Sequence, residues 1–81
     1  MNRQDELIQA FLHMKTKAQM LDFLRGILTP KEIGEMSKRL QIVKMLKKGV
    51  SQHKIAERLG VGVATITRGS RELKMGRFKH I

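Results

Sequence analysis

Apolar residues recur along the chain with the three- and four-residue spacing of helices, and strand signals are nearly absent. The only β-branched run, Val61 to Thr67, is broken by Gly62 and Ala64, so the pattern predicts an all-α fold. A first helix at about 3–14 carries Leu7, Ile8, Phe11 and Leu12 on one stripe. A second, at about 17–27, carries Met20, Leu21, Phe23, Leu24 and Ile27 on an arc wide enough to meet more than one neighbour. The third starts most clearly. Thr29-Pro30-Lys31-Glu32 puts Thr at the N-cap, Pro at the first helical position and Glu at the third, which is a capping box. Ile33, Met36, Leu40, Val43 and Leu46 then form its predicted apolar stripe, and Gly49 ends it after Lys47 and Lys48. Ser51 caps a short helix at about 52–59, Gly60 stops it, and a last helix runs from about Val63 to Lys74. Residues 75–81 are too short and too basic for order to be expected.

Composition narrows the class. In 81 residues there are 17 Lys and Arg against 7 Asp and Glu, and only three aromatic rings, all Phe. A chain this short buries only about 60% of its unfolded surface. Without large rings its core is thin, and sharing it with a second copy is the natural remedy. Zero Cys removes disulfides, thiolate metal sites and Cys nucleophiles, and is compatible with a reducing compartment. No apolar run approaches the roughly 20 residues of a bilayer span. Asp5 and Glu6 precede a short mixed stretch where a signal peptide would have a basic start and an apolar centre. A cytoplasmic location is the expectation.

The charge is unevenly spread. Residues 1–30 carry four basic and three acidic groups, residues 31–50 six and two, and residues 51–81 seven and two. Net charges of +1, +4 and +5 follow, summing to the formal +10. Basic groups interleaved with spaced apolar ones make a folded basic surface, which points to polyanions, nucleic acid first. Two short helices about a glycine turn in that basic half point to a helix-turn-helix. Ile55 and Ala56 fit the anchor and crossing positions, and Leu59, Gly60 and Val61 fit the turn. Ile66 fits the anchor facing back. A further anchor is expected three residues later, where the chain has Gly69 beside Arg68. Two readings stand there: a defect in a tolerant helix, or a gap that something else fills.

The run LGVGVATITRGS at 59–70 closely resembles the tryptophan repressor family, as do LTPKEI at 28–33 and RLQIVK at 39–44. The resemblance covers about residues 28–74, and residues 1–27 match in helical character only. It implies a bacterial transcriptional repressor, an all-helical intertwined homodimer, and L-tryptophan as corepressor. One domain would then cover 1–81: dimerisation helices at 1–28, a core helix at 29–49, the helix-turn-helix at 51–74 and a basic tail at 75–81. A zwitterionic indole needs a cation for its carboxylate, acceptors for its ammonium and flat partners for its ring, which guanidinium planes supply. By resemblance, Arg68 would meet the carboxylate and cover one indole face, with Arg39 of a partner chain on the other. Thr65 would add a hydroxyl, and Gly69 would make room for the ring. Leu28 and Thr29 of a partner would line the rest, with the carbonyls of Gly26 and Leu28 placed for the ammonium. Glu72 shares a helix face with Thr65, Arg68 and Gly69, and stands where the family has a small hydroxyl residue. It either binds the ammonium or pairs with Arg68 and closes the pocket empty. The loop after the third helix is one residue shorter than in the family, and the family's last helix has no counterpart.

For DNA, the resemblance puts the start of the last helix in the major groove, with Val63, Ala64 and Thr67 facing base edges. Val and Ala offer only apolar contact and Thr one hydroxyl, so readout would lean on bridging water and DNA shape. His53 would reach a base or phosphate, and Lys38, Gln52, Lys54 and Arg71 are phosphate candidates. Each of these, like Arg39 and Arg68, is otherwise an ordinary solvated side chain.

Other classes fit less well. His13, His53 and His80 have no metal spacing, Ser51 reads as a cap, Ser70 as a helical hydroxyl, and no carboxylate pair is set for acid–base work, so an enzyme is not expected. The six Met residues read as core filler. A basic membrane-surface or protein-interaction module is the competitor from another class, and a family member that ignores tryptophan is the competitor within this one.

Overall fold

Capping chemistry sets where each helix begins. The computed structural model describes residues 2–81 and contains α1 (Arg3–His13), α2 (Lys17–Ile27), α3 (Pro30–Lys47), α4 (Gln52–Leu59) and α5 (Val63–Lys74). No strand occurs among the described residues. The Asn2 side chain accepts from the Asp5 N–H at 2.8 Å, and Thr16 Oγ1 accepts from the Gln19 N–H at 3.1 Å. At the head of α3 the capping box is reciprocal. The Thr29 N–H donates to Glu32 Oε1 at 2.9 Å, and the Glu32 N–H donates to Thr29 Oγ1 at 3.1 Å. Hydrogen bonds from Thr29, its backbone N–H foremost and then its side chain, hold the Glu32 carboxyl below the usual carboxylate range.

The chain forms two compact units, a first up to Ile33 and a second, Gly34–Ile81. In the first, no residue of α1 or α2 is buried. Phe11 and Phe23 meet edge to face with ring centroids 5.2 Å apart at 84°. The remainder of the predicted stripes stays largely uncovered, with Leu7, Ile8, Leu12, Leu21 and Ile27 all exposed.

The second unit holds the core. Ile42, Ile55 and Ile66 are fully buried, with Met45, Leu46, Val50, Ala56, Leu59 and Val61 packed around them. α4 and α5 pack on each other, and the turn between them passes through Gly60 at φ 63°, ψ 37°. That left-handed conformation carries little penalty in glycine alone. The N–H groups of Gly60 and Val61 both return to the Ala56 carbonyl, closing α4.

Two sequence expectations change. The predicted stripe of α3 is only partly used: Val43 is buried, Ile33 and Leu46 are half-buried, and Met36 and Leu40 are exposed. The packed row is instead Ile42, Met45 and Leu46, spaced i, i+3, i+4, because α4 and α5 meet α3 along its C-terminal half. The tail also has structure. Gly76, at φ 93°, reverses the chain after α5. The Gly76 N–H donates to the Leu73 carbonyl and the Arg77 N–H to the Glu72 carbonyl, at 3.1 Å each, the paired bonds of a Schellman motif. Lys47 Nζ, at the end of α3, then donates to the Phe78 carbonyl at 2.6 Å and to that of Ile81. Basic composition hid this order, since the ordering groups are backbone carbonyls gathered by one distant lysine.

Candidate functional site

Gly62 is the N-cap of α5, so the first turn is free of a capping side chain, and Val63 and Ala64 are exposed there. Thr67, one turn on, is also exposed and shares that face by its i+3 and i+4 spacing. Its hydroxyl donates to Gln52 Oε1 at 3.3 Å, which ties the second turn of α5 to the head of α4. His53 and Lys54 follow Gln52 and are exposed, with the Lys54 N–H capped by the Ser51 hydroxyl. Arg71 lies one further turn along α5, exposed. Lys38 lines a cleft of about 320 Å³ together with Glu35, Arg39, Val61, Gly62 and Thr65, at the foot of α5. Most of the residues expected to meet DNA thus fall around the joined heads of α4 and α5, with Lys38 beside Gly62 and Thr65 from α3, whereas Arg71 lies in the last turn of α5.

A second, larger cleft of about 400 Å³ opens between α3 and α5. Arg39, Thr65, Arg68, Gly69 and Glu72 all line it, so five expected effector residues converge at one place. Arg39 does so from the same chain as Arg68. Gly26, Leu28 and Thr29 belong to the first unit and are not among its lining residues. The floor is aliphatic, made by Met36, Leu40, Ile42 and Val43. At Gly69 a Cβ would lie 3.4 Å from Ile42 Cγ2 and 3.8 Å from Leu46 Cδ1. The space there admits a methyl group and nothing larger on the α3 side, so the missing anchor is compensated by close approach of α3. Of the two alternatives expected for Glu72, binding a ligand ammonium or pairing with Arg68, the second does not occur. Glu72 Oε2 instead accepts from Arg77 Nε at 3.4 Å.

Sequence reasoning missed Phe78, which lines the cleft from the tail, and Arg77, which takes Glu72. One signal was available: Phe78 is the only aromatic residue after Phe23. Among the described residues, no group of His, Asp and Glu could hold a metal ion, and no helix is long and apolar enough to cross a membrane.

Comparison with known proteins shows the family. The family described as Trp repressor protein matches residues 2–80. A Trp operon repressor homolog of Vibrio vulnificus (strain YJ016) is 41% identical over 71 residues, covering 86% of this chain and 70% of that protein. One from Photobacterium profundum is 49% identical, covering 86% of this chain and 65% of that protein. The Bacillus subtilis (strain 168) protein named Uncharacterized protein YerC is 33% identical, covering 89% and 69%. The chain thus spans about two thirds of the length of these relatives. No solved structure matches it. With motifs, fold and similarity in agreement, the chain belongs to the Trp repressor protein family, whose members are transcription regulators and not enzymes.

Proposed function

We propose that this protein is a sequence-specific DNA-binding regulator that represses transcription as a homodimer, with L-tryptophan as its effector. The observation that carries the DNA reading is the α4–α5 unit. Ile55 and Ile66 are fully buried behind a left-handed Gly60 turn, while Val63, Ala64 and Thr67 are left exposed on a basic surface. A recognition helix needs that division between a locked back and an open front. Relatives named Trp operon repressor homologs support the same reading. The homodimer is supported by the apolar residues left uncovered on α1 and α2, an area for which a second copy is a ready partner.

The effector reading rests on the cleft. Two arginines, Arg39 and Arg68, line it together with Thr65 and the aliphatic Met36, Leu40, Ile42 and Val43, a composition that suits a flat ring carrying a carboxylate. In this reading Arg68 holds the carboxylate, Arg39 covers the ring, Glu72 faces the ammonium, and Gly69 keeps the wall low. Gly26, Leu28 and Thr29 of the partner chain complete the site. DNA contact falls to Val63, Ala64, Thr67 and His53 at the bases, and to Lys38, Gln52, Lys54 and Arg71 at phosphates.

A regulator of the same family that ignores tryptophan is the second reading, favoured by Glu72 being engaged by Arg77. One titration decides between them. The chain has no Trp or Tyr, so bound L-tryptophan is read by its own fluorescence against a dark protein. Saturation at one per chain, lost in Arg39→Ala and Arg68→Ala, is expected. No saturable binding at millimolar ligand refutes the tryptophan reading and leaves the DNA one intact. For DNA, log affinity should fall linearly with log salt while a preferred sequence keeps its advantage. Binding indifferent to sequence refutes that part.

A further inference from the structure

The tail, residues 75–81, is anchored at two points beside the larger cleft. Lys47 Nζ gathers the carbonyls of Phe78 and Ile81, and Arg77 Nε meets Glu72 Oε2 at 3.4 Å. Between these anchors Phe78 sits at φ 64°, a left-handed conformation that costs an aromatic residue free energy and persists only where its surroundings impose it. The result is an aromatic ring on the wall of a cleft that otherwise has an aliphatic floor. Arg77 acts at the rim. Glu72 is the one carboxylate among the lining residues, and one of its oxygens accepts from Arg77, while Arg39 and Arg68 bring two positive charges to the lining.

We propose that Phe78 and Arg77 are specificity residues of the effector cleft. Phe78 packs against the ligand's ring, and Arg77 competes with any ligand ammonium for Glu72. Arg77 therefore weakens the ammonium's contribution to the binding of L-tryptophan, which must displace Arg77 to use Glu72, and leaves its des-amino analogue unaffected. This inference rests on the effector reading of the same cleft. The Glu72–Arg77 pair is largely solvated, with side chains 31% and 68% exposed, so the effect is modest. Pairs of this kind shift equilibria by about threefold. Ring contact by Phe78 is worth more, about fivefold.

The test uses the full chain with two ligands of equal shape: L-tryptophan and its des-amino analogue, in which hydrogen replaces the ammonium. Both carry the indole, so both are followed by fluorescence against a protein without Trp. Arg77→Ala is expected to strengthen tryptophan about threefold relative to the analogue, and to have no such effect in a Glu72→Gln background. Phe78→Ala is expected to weaken both ligands about fivefold while circular dichroism stays unchanged, since Phe78 is not part of the Ile42–Ile55–Ile66 core. An unchanged ratio in Arg77→Ala, or an equal change in the Glu72→Gln background, overturns the role of Arg77. Unchanged affinities in Phe78→Ala overturn that of Phe78. Failure of both ligands to bind the unsubstituted chain overturns the effector reading itself, and this inference with it.

Discussion

The two units of this chain both carry regular apolar stripes on their helices, but those stripes meet opposite fates. In the second unit α3, α4 and α5 converge, and Ile42, Val43, Ile55 and Ile66 are at most 3% exposed. In the first, α1 and α2 bury nothing completely, and Leu12 is 64% exposed. Amphipathic spacing does not by itself secure a core. Three mutually crossing helices enclose a point, whereas two can only share a line of contact, here marked by Phe11 against Phe23. Function divides the same way. The second unit holds the core and both clefts, and the first leaves apolar side chains exposed.

The sharpest way to break this comparison is to remove core from each unit. Ile66→Ala should lose about 2–5 kcal/mol in urea unfolding, whereas Leu12→Ala at fixed, low protein concentration should stay within about 0.5 kcal/mol. Equal losses would mean that α1 and α2 have a core of their own. Dilution comes next. If a second copy covers the first unit, a hundredfold dilution should lower the melting temperature, corresponding to about 2.7 kcal/mol by mass action. A midpoint independent of concentration refutes the homodimer.

Smaller effects sharpen the picture within the second unit. Gly60→Ala should cost about 1–2 kcal/mol, because a Cβ is forced into the left-handed region. Gly69→Ala should do the reverse. Its methyl group meets Ile42 and Leu46 at ordinary contact distances, so the better helix former should stabilise by up to about 1 kcal/mol. Gly69→Leu, by contrast, should fill the cleft and abolish tryptophan binding. An effect similar in size to that of Gly69→Ala belongs to the start of α3. Thr29→Ala should cost about 1 kcal/mol as a lost cap. Because the folded Glu32 carboxyl titrates below its unfolded value, the contribution of its carboxylate is full above the ordinary carboxylate range. It is lost as pH falls through that lowered value. Acid unfolding of Glu32→Gln and the unsubstituted chain should therefore converge at low pH, while they differ above it.

Most of the helical layout was legible because its determinants are local. Asn2 and Thr16 cap by reaching three residues on, Thr29 and Glu32 cap each other, and Gly60 stops α4 by a single left-handed residue. The motif at 59–70 likewise named the family that the comparisons then extended to residues 2–80. The site was legible in part. Arg39, Thr65, Arg68, Gly69 and Glu72 were singled out and do converge, but their partner assignments were not foreseeable. Glu72 chose Arg77, five residues on, over Arg68 at i−4, because the Gly76 reversal brings the tail back over α5. Ile42 was overlooked for a related reason: which arc of α3 is buried depends on where α4 and α5 cross it.

Sequence alone therefore determined where the helices start and stop, that Ile55, Gly60 and Ile66 make a helix-turn-helix, and that the charge lies in the last fifty residues. Each follows from interactions spanning a few residues or from a simple sum. Tertiary structure decided which face of α3 is core, that the tail folds back to Lys47, and that Phe78 and Arg77 stand at the cleft. Those outcomes depend on contacts across many residues, such as Lys47 to Phe78, whose formation is governed by how the helices pack and leaves no periodic trace in the chain.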